Sequence, residues 1–399
     1  MRITSSGEIE ECGVITPANI TTMQPMNPKT PREQSSATRG VFVSHVAKAL
    51  REKRWHDLAM WSVLTFVSIA AFAAVGFAAL DQSGEIRESR AGHLLQRVSD
   101  QSVVASKTVR RPLDGLMVPA DAPAAKYVAV MIDNIAEALP QSGVSKAPLV
   151  IEAPVEGGLT RLMAVFPSDA DVAKIGPVRS ARPYYVDWAS EFDALYAHSG
   201  GSPEALTRLR TGGEVNDFNE FYNGEAFWRD AVRSAPHNLY TSTALLKKAF
   251  GAMEETRALS AWKFKDDTSP EDRPNEIVKL DLGEAGKWNV RWVYDKEKNV
   301  WIRVIGKTVQ ADADGSTVLA KNVVVQLTTV VVLDEIGRRR VDTTSGGDAF
   351  FAADGRVIGA SWKKQDGRTR FYDAAGNELV FNAGTTWVEV VPTGTPINY

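Results

Sequence analysis

Cysteine is almost missing from this chain. Cys12 is the only one in 399 residues, which excludes an intramolecular disulfide and any cysteine-rich metal centre. Histidine is nearly as scarce: five in all, and only His198 and His237 beyond the first hundred residues. A histidine-built zinc site lacks its ligands, and neither a metal nor a cofactor is expected. No run of five basic residues occurs and the net charge is only -3, so there is no polybasic field and nucleic acid is not expected as a direct ligand. The chain also lacks a GxSxG elbow, a GxxxxGKS/T loop and a GxGxxG turn, which removes the common hydrolase, nucleotide-triphosphate and dinucleotide readings. These absences lean away from an enzyme.

What is present begins with an uncharged run from Leu58 to Leu80, LAMWSVLTFVSIAAFAAVGFAAL. About 20 apolar residues suffice to cross a hydrocarbon core, so residues 58–80 are expected to form one transmembrane helix. Lys48, Arg51, Lys53 and Arg54 precede it, against Arg87 and Arg90 after it; this asymmetry places the N-terminus in the cytoplasm and the rest outside. Residues 1–57 read as a disordered cytoplasmic tail with a short basic juxtamembrane helix, because the first forty are rich in Thr, Ser, Pro and Gln and show no apolar periodicity. Residues 81–111 read as an extracytoplasmic linker.

Residues 112–265 alternate apolar strands with helical spacing. YVAVMID, PLVIEA and LTRLMAVFP read as short buried strands, the last two joined as a hairpin through Pro154 to Gly158. Pro183 is placed to open a helix and Ser202 to cap another. Residues 276–392 read almost wholly as strands divided by glycine turns, with Asp314-Gly315, Asp354-Gly355 and Asp366-Gly367 as hairpin signals. The expected fold is a mixed α/β domain, then a mainly antiparallel β domain, preceded by the transmembrane helix.

Two constellations could carry chemistry. Arg179, Arg182, His198 and the Gly200-Gly201 turn lie where a strand, a glycine turn and a helix entrance follow one another, a corner suited to an anion. Against this, Glu152, Glu156 and Asp187 could neutralise the arginines internally. Asp133, Glu152 and Glu156 fall at or beside strand ends, and with His198 they form the candidate catalytic set, since paired carboxylates can divide acid and base roles. Carboxylates in such places more often bond loop backbone or pair with arginine. His237 follows a proline and precedes a Ser/Thr cluster, which favours a structural role. Trp288, Trp292, Trp301, Trp362 and Trp387 could stack on glycans, but at strand positions they are expected in the core.

The segments VAVMIDN, PQSGVSKAPLVIEAPVEGGLTRLMAVF, KIGPVRSARPYY, YAHSGGSP, FWRD and APHNLYTS, followed by GRVIGASWKK, TRFYD and TWVEVVP, resemble the YerB-like bacterial envelope lipoprotein family. The resemblance spans roughly residues 111–392. It implies tethering outside the cytoplasmic membrane and a domain of unknown function in N- and C-terminal parts. Cys12 is far from the end of the apolar run, so the lipidated cysteine of the family's lipoproteins has no counterpart there. The expected function is a membrane-anchored extracytoplasmic binding or scaffold protein of the cell envelope, engaging a cell-wall polymer or an envelope protein. The alternative is an envelope or cell-wall hydrolase using the carboxylate set.

Overall fold

Segments rich in β-branched and aromatic residues bury both faces of a strand only when something covers each side, and here they form the centre of a ten-stranded mixed sheet. The computed structural model describes residues 2–3, 9–10, 107–252, 257–274, 279–282 and 290–399. The strands of the large sheet are β1 (Tyr127–Asp133), β2 (Leu149–Pro154), β3 (Thr160–Pro167), β4 (Leu195–His198), β5 (Asn216–Asn219), β6 (Asn322–Thr328), β7 (Gly347–Ala353), β8 (Arg356–Gln365), β9 (Arg368–Tyr372) and β10 (Thr386–Pro392). Their order across the sheet is β9-β8-β7-β6-β10-β2-β3-β1-β4-β5. Among the described residues the α-helices are short: α1 (Pro183–Glu191), α2 (Pro203–Thr211) and α3 (Thr243–Lys247).

Side chains alternate between the two faces, as the two-residue period of a strand requires. Ala129 and Met131 of β1, Ile151 and Ala153 of β2 and Met163 of β3 pack with Tyr184, Tyr185 and Trp188 of α1. Val130, Ile132, Val150, Leu162 and Phe166 face the other way, where Trp292 and Trp301 of a smaller sheet built on Val290–Asp295 and Val300–Ile305 cover them. Trp292, Trp301, Trp362 and Trp387 are all buried; Trp288 lies outside the described residues.

The expected fold class is corrected by this architecture. The folded region is mostly β-sheet with few helices, and its two halves are not a mixed α/β layer followed by a separate antiparallel one. The strand that decides this is β10. It runs parallel to β6 on one side and parallel to β2 on the other, joining both halves in one sheet. TWVEVVP reads locally like any late strand, and nothing in it names its neighbours. After Ser242 the described residues form α3 and then a 3-10 turn over Lys248–Ala252. The transmembrane helix expected over 58–80 lies outside the described residues, as do most of the expected tail and most of the linker. Among the described residues no helix is long and apolar enough to cross a membrane.

Candidate functional site

Arg161 begins the geometry of the site. In β3 it sits directly across from Asp133 of β1 and from Ala153 of β2, on the face where α1 packs. The segment after Pro177 runs between the end of β1 and the residues after β4: Arg179 N-H donates to the Met131 carbonyl, Ala181 N-H to the Gly200 carbonyl and Ser199 N-H to the Arg179 carbonyl. Arg179 and Arg182 are thereby carried to the same end of the sheet as Arg161. Pro183 opens α1 with Arg182 as the N-cap residue, and the Ser202 hydroxyl accepts from Ala205 N-H at the start of α2. Both helix entrances follow from the local sequence.

These elements line a cleft of about 560 Å³ whose wall includes Asp133, Glu156, Arg161, Arg179, Arg182, Gly201 and Arg338. Four arginines and two carboxylates line that wall, and Arg338 is paired with Asp334 just outside it, which leaves a surplus of one positive charge. The carboxylates hold arginines in place. Arg182 makes a two-pronged contact with Glu156, each N···O at 2.7 Å. Burial works against the Glu156 charge, yet the hydrogen bonds and charge of Arg182 keep its carboxyl below the ordinary range. Asp133 is buried, and its Oδ2 lies 2.9 Å from Arg179 Nε and 2.7 Å from His237 Nδ1. The Arg179 contact is an ion pair in distance, but Nε is not aimed to hydrogen-bond.

Arg161 is different. It is 6% exposed, Nη1 donates to the Ser180 carbonyl at 2.8 Å, and Nε has no hydrogen-bond partner. It forms no ion pair among the described residues. Burial first, and then the like charges of Arg182 and Arg179, depress its guanidinium to about 10. Arg368 is equally buried and also carries unpartnered nitrogens, but its guanidinium lies over the rings of Trp262 and Phe192 at 4.5 and 5.1 Å. An aromatic slot explains Arg368; only the open cleft is offered to Arg161.

The four candidate catalytic residues are not gathered in one place. Asp133 and Glu156 reach the cleft. Glu152 belongs to a buried network on the opposite face of the sheet. Its Oε2 takes Arg303 Nη2 at 2.5 Å, and its Oε1 accepts from Asn134 at 3.0 Å and from the Thr160 hydroxyl at 2.6 Å. Arg303 also contacts Glu389 at 3.4 Å, bonds Gln310, and lies 4.7 Å from the Trp387 ring. His198 is fully buried: Nδ1 faces the Gly200 carbonyl and Nε2 faces Asp217 Oδ1, each at 2.7 Å. It holds the Gly200 turn from beneath. Among the described residues no group of three or more His, Cys, Asp or Glu is placed to hold a metal.

Sequence reasoning missed Glu389, Arg303 and the pairing of His237 with Asp133, all long-range contacts without a local motif. Arg161 belongs to no local motif; its alternation in step with Met163 and Val165 is the available signal that it faces the α1 side.

The Arg303 network has a consequence for stability. Burial, followed by the Glu152 charge, raises the Glu389 carboxyl to about 8. The folded protein thus keeps a proton that the unfolded chain releases near the ordinary value of 4.5. The stability contributed by this proton is complete below about pH 4.5 and is lost as pH rises to about 8. Urea denaturation from pH 5 to 9 is expected to show that decline in wild type and a flatter profile in Glu389→Gln. Equal slopes in the two would contradict the assignment.

Two family models match the chain: the N-terminal domain described as "Protein of unknown function (DUF3048)" over residues 113–257, and the corresponding C-terminal domain over residues 278–388. A protein of Bacillus subtilis (strain 168) named "Putative lipoprotein YerB" is 34% identical over 298 residues, covering 72% of this chain and 87% of that protein. The crystal structure of the YerB protein from Bacillus subtilis superposes with a TM-score of 0.65 at 31% identity, covering 73% of this chain and all of that one. The sheet and its cleft are therefore the setting of a YerB-like protein, and the chain belongs to the DUF3048 family.

Proposed function

We propose that this protein works at the cell envelope, outside the cytoplasmic membrane, as a binding protein for an anionic cell-wall polymer, with the arginine cleft as its site. The envelope setting is supported by the word lipoprotein in the name of the Bacillus subtilis relative. The observation that carries the binding reading is Arg161, a buried guanidinium with an unpartnered Nε beside two further arginines in an open cleft. A buried cation without a partner costs stability, and an anionic ligand supplies the missing charge. The entrances of two nine-residue helices at the same cleft add partial positive charge. Arg182, fixed by Glu156 and by the Ala181 carbonyl, and Arg179, fixed by Asp133, have only their remaining guanidinium hydrogens to offer, and offer them without further loss of side-chain freedom.

Full-length protein incubated with immobilised anionic wall polymer, and with a neutral glycan matrix as control, tests this. Retention on the anionic polymer that falls steeply with added salt is expected. Equal retention on both matrices, or on neither, contradicts the reading.

A further inference from the structure

We infer that the arginine cleft is one end of a longer groove, and that its other end stacks sugar rings on Phe221 and Tyr222, so that the ligand is an anionic glycan and not a bare polyanion. The inference rests on the binding function proposed above. Arg179, Ser180 and Gly201 line a second cleft of about 400 Å³, in common with the first. Beyond them this second cleft is walled by Ser199, Gly200, Phe221 and Arg229. The two depressions share the Arg179-Ser180 segment and Gly201; Phe221 lines the second, and Tyr222 follows it in the chain.

Large aromatic side chains usually hide, yet Phe221 is 67% and Tyr222 is 76% exposed. They are held out by a bonded turn. Buried Asn219 accepts through Oδ1 from Gly200 N-H at 3.1 Å and Phe221 N-H at 3.2 Å, and its carbonyl accepts from Tyr222 N-H. Gly200 has a left-handed φ of +62°, and an added Cβ there would come within 3.2 Å of the Phe221 ring. Below the turn, His198 fixes the Gly200 carbonyl. Polar groups flank the ring: Ser199 donates to Glu220 at 3.0 Å, and Arg229 lies 3.7 Å from the same carboxylate. An exposed ring on a rigid turn, bordered by hydroxyl and charged groups, suits the apolar face of a pyranose with hydroxyls at its rim. The tryptophans that the sequence offered for such stacking are buried where the structure describes them.

The test uses the full chain with three probes: an acidic oligosaccharide from wall glycan, a polyphosphate of matched charge, and a neutral chitooligosaccharide. Wild type is expected to bind the acidic oligosaccharide most tightly. Phe221→Ala and Tyr222→Ala are each expected to weaken that binding roughly three- to tenfold, the scale of a ring contact, while leaving polyphosphate binding unchanged. Both residues are exposed, and unchanged melting of the variants checks that the fold is intact. If polyphosphate and acidic oligosaccharide bind equally and neither aromatic variant affects them, the glycan groove is overturned while the arginine site stands. If neither anionic probe binds wild type, the arginine site fails and the groove falls with it.

Discussion

Arg303→Met is expected to destabilise the fold by about 3–5 kcal/mol at neutral pH, the cost of leaving a buried charge without its partner. Arg303 is wholly buried and sits between Glu152 and Glu389, themselves 3% exposed. One guanidinium serves two carboxylates, and the raised Glu389 carboxyl shows that the site already disfavours two full negative charges. Without Arg303 the Glu152 carboxylate loses its buried partner, and water must enter beside Trp387 and Trp292 to solvate it. Denaturant melts of wild type and variant measure the loss. The variant Arg303→Met combined with Glu152→Leu and Glu389→Leu is expected to recover much of it, because replacing a whole buried ion cluster by apolar groups is often neutral. A single-variant loss below about 1 kcal/mol, the range of a surface pair, would mean that the network is solvated.

Arg161→Met is expected to act in the opposite direction on stability and to weaken binding. The native side chain is desolvated beside two like charges and gains one hydrogen bond, to Ser180. Exchange for an unbranched apolar chain of similar length relieves the charge burial, and a gain of about 1–2 kcal/mol is expected after subtracting about 1 kcal/mol for the lost hydrogen bond. Affinity for anionic wall polymer is expected to fall about 10- to 100-fold, since hydrogen bonds to charged groups contribute about 1.5–3 kcal/mol. A more stable protein that binds less well is the signature of a residue kept for its ligand. Thermal melts and titrations on the same preparations separate the outcomes. A destabilised variant with unchanged affinity would make Arg161 structural.

What could be read from the sequence was what short-range chemistry decides. Pro183 and Ser202 open α1 and α2 because a missing N-H and a capping hydroxyl act within one helical turn. Asp354-Gly355 and Asp366-Gly367 form their hairpins because all four residues take positive φ. The hairpin from β2 to β3 likewise follows from its own loop. The insertion of β10 between β6 and β2 was hidden, since a fully buried strand carries no mark of its partners. Glu152 was visible as a carboxylate near a strand end, but its partner Arg303 is 151 residues away. Asp133 and His237 are separated by 104 residues. The arginine corner was legible as a cluster of Arg179, Arg182 and the glycine turn; that Arg182 would be held by Glu156 while Arg161 stayed unpaired depends on which face of β3 meets α1.

The most direct measurement is a crystal structure of the protein with a bound acidic fragment of wall polymer. The ligand's anionic group is expected within about 3 Å of the guanidinium nitrogens of Arg161 and Arg182, with the Arg182–Glu156 pair still formed beside it. A fragment bound elsewhere, with Arg161 still unpartnered, would contradict the account.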